Sequence, residues 1–95
     1  MTIKYNLHPS AKFKRDYKKC VKAGLDINKL NDVLYLLQCG EKLPPQYHDH
    51  SLQGEFSGCR ECHIQPDWLL IYEIDNGELT LTLVRTGSHA NLFGM

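Results

Sequence analysis

The apolar positions of this chain change period as it is read from its start. Thr2 to Leu7 alternates, placing Ile3, Tyr5 and Leu7 on one side of a predicted strand. Phe13, Tyr17, Cys20 and Val21 then fall on one stripe at helical spacing, with Lys12, Arg15, Lys18, Lys19 and Lys22 on the other side. Ser10 is the expected N-cap, because its hydroxyl can accept from a backbone N–H that lacks a helical partner. Gly24 is the expected residue just beyond the C-terminus. A second helix begins near Asp26, buries Ile27, Leu30, Val33, Leu34 and Leu37, and closes at Gly40. So short a connection predicts a helix hairpin. Leu43-Pro44-Pro45 cannot continue the helix and forms a stiff connector.

The remainder predicts sheet. Glu55 to Ile64 is a strand interrupted at Ser57-Gly58 by a bulge or bend. The apolar run Trp68-Leu69-Leu70-Ile71-Tyr72 suits a central strand. Asp75-Asn76-Gly77-Glu78 is a hairpin signal, since Asn-Gly tolerates the positive φ angles of a type I′ turn. Leu79, Leu81 and Leu83 alternate with threonines and lead to Arg85, followed by a short tail. The order is β-α-α-β-β-β. It implies an α+β fold in which two N-terminal helices pack on a small, mostly antiparallel sheet.

Ninety-five residues suffice for one domain, residues 1–95, with a single modest core. No run approaches the roughly 18–20 apolar residues of a membrane span. Met1-Thr2-Ile3-Lys4 lacks the apolar region of a secretory signal, so a cytoplasmic protein with no membrane partner is expected. The formal net charge of zero hides an asymmetry. Up to Ala23 the basic residues Lys4, Lys12, Lys14, Arg15, Lys18, Lys19 and Lys22 face Asp16 alone. From His48 onward Arg60 and Arg85 face Asp49, Glu55, Glu61, Asp67, Glu73, Asp75 and Glu78. The first helix could meet phosphates, or it could simply be a solvated face.

The acids of the second half are interleaved with histidines: His48-Asp49-His50, Glu61-Cys62-His63 with Asp67 beyond, and His89 after Arg85. Histidine changes charge near neutrality, and beside carboxylates it suits proton transfer. Strand alternation puts Glu61 and His63 on one face, with Arg60 and Cys62 opposite. His89 should emerge at one end of the same sheet. Ordinary pairing therefore gathers His50, Glu61, His63, Asp67 and His89, although any one of them alone could be a surface or turn residue.

Cys59-Arg60-Glu61-Cys62-His63 matches the pattern of c-type haem attachment, which belongs to exported proteins. Zinc is the stronger of the two cofactor readings, but Cys20 and Cys39 supply no second close ligand pair. Neither cofactor is expected, and the cysteines are expected to be reduced.

Three ordered blocks carry a resemblance: Asp49-His50-Ser51-Leu52-Gln53-Gly54, then Arg60 through Tyr72, then Arg85 through Phe93. The chain resembles the RelE/ParE superfamily of bacterial toxins, and within it the YafQ branch of mRNA interferases. The similarity spans nearly the whole chain. It implies a toxin that enters the ribosomal A site and cleaves mRNA there, and a cognate antitoxin that covers its active surface. The family motif carries over at His50, His63, Asp67 and His89. Glu61 stands where the family often has Asp, and its extra methylene is expected to move the charge outward. Phe93 matches a terminal aromatic resembling a base-stacking platform. Arg60 and Arg85 match positions where an arginine could hold phosphate or brace the site. His48 and the cysteines fall outside the pattern.

The implied chemistry needs no metal. A base takes the 2′-hydroxyl proton, the oxygen attacks the adjacent phosphorus, and an acid protonates the leaving 5′-oxygen. His50 and His63 are base-side candidates and His89 the acid. Asp67 and Glu61 orient them, and Arg85 and Arg60 face the phosphorane charge. Lys12, Lys14, Arg15, Lys18, Lys19 and Lys22 would dock on ribosomal RNA. Two rivals stand: a non-enzymatic gyrase-binding toxin of the same superfamily, which lacks the histidine set, and a metal- or RNA-binding module.

Overall fold

In a computed structural model, which describes residues 2–94, the chain forms a five-stranded sheet with helices on both faces. Its elements are β1 (Asn6–Pro9), α1 (Ala11–Lys22), α2 (Ile27–Gln38), β2 (His50–Ser51), β3 (Arg60–Gln65), β4 (Trp68–Asp75), β5 (Thr80–Gly87) and α3 (His89–Phe93). The strand order is β1-β5-β4-β3-β2. β1 runs parallel to β5, and every other pair is antiparallel. This is the expected α+β class, with the short β2 and α3 added to the predicted order.

The two helices begin where the sequence predicts. Ser10 accepts from the Phe13 N–H at 3.0 Å, and its own hydroxyl donates to the Val84 carbonyl. Asp26 caps α2 by accepting from the Asn28 N–H. Phe13 and Cys20 of α1 pack with Leu30, Val33 and Leu37 of α2 against Cys62, Ile64, Trp68, Leu70, Tyr72, Leu81 and Leu83 of the sheet. Val21, expected on this stripe, is half exposed, and Asp16 takes a buried place on it instead.

Three boundaries differ from expectation. The first strand starts at Asn6 rather than Thr2, because the Lys4 and Tyr5 N–H groups both donate to the Gln38 carbonyl at the end of α2. Tyr5 is buried, but Ile3 is 55% exposed, so the early alternation is not a sheet face. Residues 54–56 form a short 3-10 turn rather than a strand, and β3 begins only at Arg60. Asn76-Gly77 is not a type I′ turn. Asp75 accepts from the N–H groups of Gly77 and Glu78, and Leu79 takes the left-handed conformation at φ 51° before β5 starts. Asn76 is held by the Tyr5 hydroxyl, which donates to its side-chain oxygen.

The opposite face of the sheet carries a small apolar patch of Leu69, Ile71 and Leu92, joined by Leu52, Phe56, Cys59 and Val84. α3 is aimed onto it by Gly87, whose φ of +151° suits glycine. Beside this patch lie the histidines.

Candidate active site

Glu61 and His63 share the face opposite the two long helices, as strand alternation requires. β2 brings His50 directly across from Glu61. Glu61 Oε1 lies 3.4 Å from His50 Nε2 and 3.5 Å from His63 Nε2, so one carboxylate oxygen serves two imidazoles. Glu61 is 5% exposed, so the longer side chain is tucked inward and the expected outward displacement does not occur. The His63 ring is also 5.8 Å from that of His89, centroid to centroid.

His89 is the first residue of α3, capped by Ser88. Asp67 lies in the tight turn between β3 and β4, and one of its oxygens accepts from both the His89 backbone N–H (3.1 Å) and Nδ1 (2.9 Å). These bonds hold the Asp67 carboxyl below the ordinary aspartate range, the side-chain bond contributing most. Because Nδ1 is engaged, Nε2 is the free nitrogen of His89. His50 is engaged at both nitrogens: its Nδ1 is 2.8 Å from the His48 carbonyl, which can only accept, and its Nε2 faces the Glu61 carboxylate.

Phe93 follows one turn later. Its ring is 6.4 Å from His89 and 5.9 Å edge-on to Phe56, and it is 37% exposed. The five residues predicted to gather do gather, with Phe93 at their rim.

Both arginines are tied to carboxylates. Arg60 Nε and Nη2 donate to one oxygen of Asp49, whose other oxygen accepts from the Tyr72 hydroxyl. Arg85 Nε and Nη2 donate to Asp16, which also accepts from the Thr86 N–H. Each pairing pushes the guanidinium pKa further up, with the carboxylate hydrogen bond as the largest cause. Of the two roles left open, holding phosphate or bracing, these bonds favour bracing. Arg60 and Asp49 fasten β2 beside the site. Arg85 and Asp16 fasten α1 to β5 where β1 no longer covers that edge. Asp16 and Asp49 were not singled out as site residues in the sequence. Asp16 carried one signal, isolation: it is the one acid among the lysines of α1.

His48, outside the family pattern, lies beside the site. It adopts the left-handed conformation at φ 48° and its ring is 5.7 Å from His63. The cysteines do stay apart from the site. Cys62 packs toward the long helices and Cys59 on the other face, so the pair cannot act together. Burial pushes the Cys62 thiol up to about 12. Glu61, His63 and His89 also each offer a ligand atom within 4.8 Å of the others, a spacing able to hold a metal ion. The six basic residues of α1, Lys12 to Lys22, are all exposed.

A protein with this fold and a histidine–carboxylate site of this kind falls among small bacterial toxins, and comparison with known proteins is specific. The model of the bacterial toxin of type II toxin-antitoxin systems, YafQ, matches residues 5–94. The mRNA interferase toxin YafQ of Escherichia coli K12 is 40% identical over 97% of this chain and 99% of its own length. The crystal structure of the E. coli DinJ-YafQ toxin-antitoxin complex matches with a TM-score of 0.87 at 40% identity, covering 97% of this chain and 100% of that one. A metal-bound toxin from Helicobacter pylori matches with a TM-score of 0.88 at 45% identity, covering 94% and 99%. The chain belongs to the YafQ family of type II toxins.

Proposed function

We propose that this chain, as a single toxin domain, is an mRNA endoribonuclease held in check by a cognate antitoxin, and that it cuts message on the ribosome. One observation carries the chemistry: two imidazoles share the buried Glu61 carboxylate, with a third, on His89, beside them. Similarity to the mRNA interferase of E. coli and to its complex with an antitoxin supports the substrate and the partner.

In the reaction His50 or His63 takes the proton of a ribose 2′-hydroxyl, and Glu61 stabilises the imidazolium that forms. The 2′-oxygen attacks the adjacent phosphorus. His89, with Nδ1 fixed by Asp67, presents Nε2 to the leaving 5′-oxygen and protonates it. The products are a 2′,3′-cyclic phosphate and a 5′-hydroxyl. The exposed cations of α1 would meet ribosomal RNA phosphates, making association fall with salt. Helix α1 continues toward the site: Lys19 lines a cleft with Arg85, Ser88 and Asn91. No helix among the described residues is long and apolar enough to cross a membrane.

Primer extension on translating ribosomes tests this. Wild type should produce new 3′ ends within the message, and the His63→Ala, His89→Ala double variant should not. Silence from wild type, or undiminished cutting by the double variant, would overturn it.

A second reading has its own observation. Glu61, His63 and His89 can converge on one ion, and a related H. pylori toxin is metal-bound. An ion there would engage the imidazole nitrogens that the acid–base route needs, so zinc should inhibit. Activity abolished by EDTA and restored by zinc would favour the metal reading instead.

A further inference from the structure

We propose that the cavity on the far side of His63 is a nucleotide subsite that holds an RNA base next to the scissile phosphate, with the His48 ring as its stacking surface. The proposal rests on the RNA-cleavage reading above. The cavity measures about 770 Å³ and is lined by Lys29, Gln46, Tyr47, His48, His63 and Gln65, among others. That is within the range of pockets that take small organic ligands, about 300–1,000 Å³.

A cut between two nucleotides needs a place for the residue on each side. The rings of the site run in a row: His48 to His63, His63 to His89, His89 to Phe93. Phe93 supplies a stacking surface at one end. At the other end, beyond the histidines that handle protons, the cavity is lined by Tyr47 and His48. Single-stranded RNA is commonly gripped by such rings, with cations along its backbone. Gln46 and Gln65 add amide donors and acceptors for a base edge, Lys29 a cation for phosphate, and Asp32 a carboxylate that can accept from a base's amino group.

The backbone that carries the His48 ring is held in place. Its left-handed turn is closed by the His48 N–H donating to the Pro45 carbonyl. The next residue, Asp49, is fastened to Arg60 and Tyr72. A held backbone leaves less to order when a base arrives.

Two substitutions separate stacking from proton transfer. Asparagine tolerates the left-handed conformation, so His48→Asn removes the ring without forcing the backbone. His48→Phe keeps a ring and removes the titrating group, at the cost of strain in the left-handed turn that thermal melts read directly. With message-programmed ribosomes carrying varied A-site sequences, His48→Asn should raise KM roughly tenfold, the scale of losing one base–aromatic contact. It should also flatten the distribution of cut sites. His48→Phe should stay within about threefold of wild-type KM and preserve that distribution. Thermal melts check that both variants fold. If wild type cuts RNA while His48→Asn leaves KM and cut sites unchanged, the subsite is wrong and the nuclease reading stands. If His48→Phe instead abolishes turnover with a changed pH profile, His48 transfers protons and the stacking role is overturned. If wild type cuts no RNA, both fall.

Discussion

The two faces of the sheet are made by the same strands and are built on opposite terms. On one face Cys62, Ile64, Trp68, Leu70 and Tyr72 are sealed under α1 and α2. On the other, Leu69, Ile71 and Leu92 form only a small patch, and the places around it go to Glu61, His50, His63 and His89. Burial stabilises the first face without regard to direction. The second keeps polar groups in fixed mutual positions at a boundary with water. Stability and chemistry are thereby separated across one layer of backbone, and substitutions on the two faces should fail in different ways.

The largest expected effect is on chemistry. His63→Ala should cut ribosome-dependent cleavage about 10²–10⁴-fold, as for loss of a general acid or base. Its unfolding free energy in urea should change by no more than about 1 kcal/mol. A matched loss of stability would blur the distinction between the faces. On the helix side, Leu30→Ala should do the reverse. Leu30 is fully buried, so a cavity there should cost about 2–5 kcal/mol, while the folded fraction still cleaves at a near wild-type rate.

Asp16→Ala tests the joint between the faces. It removes the acceptor of Arg85 and of the Thr86 N–H, next to the Gly87-Ser88 turn that delivers His89. Losing one partner of a buried pair costs about 3–5 kcal/mol. With Arg85 still 21% exposed, about 2–3 kcal/mol is expected by urea unfolding, together with weakened cleavage. Unchanged stability would mean that Arg85 finds water or phosphate at no cost.

The smallest effect concerns Asp67. Its bond from His89 lowers its pKa in the folded state, so the pairing contributes to stability above the unfolded aspartate value of about 3.9. That contribution is lost as pH falls through the lower folded value. Carboxyl NMR should show Asp67 titrating below the ordinary range, and His89→Gln should move it back up. An ordinary midpoint in wild type would remove Asp67 as the anchor of His89.

Much of this was legible in the chain. Helical spacing and caps located α1 and α2, and period-two alternation placed Glu61 with His63. What was not legible came from long-range partners. Tyr5 leaves the strand pattern because the end of α2 takes its N–H and Asn76 takes its hydroxyl. Asn76-Gly77 failed as a turn signal because the Asp75 carboxylate organises the connection instead. Arg60 and Arg85 carry no mark in sequence of the carboxylates that hold them. The closeness of His48 to His63 had no mark in the sequence, because it depends on a left-handed turn and a strand pairing of two residues.

The most direct measurement is of the chemical ends left on cleaved message. The histidine face predicts a 2′,3′-cyclic phosphate and a 5′-hydroxyl, insensitive to EDTA and absent with the His63→Ala, His89→Ala variant. A 5′-phosphate with a free 3′-hydroxyl would mean attack by water rather than by the ribose, and would contradict the acid–base account.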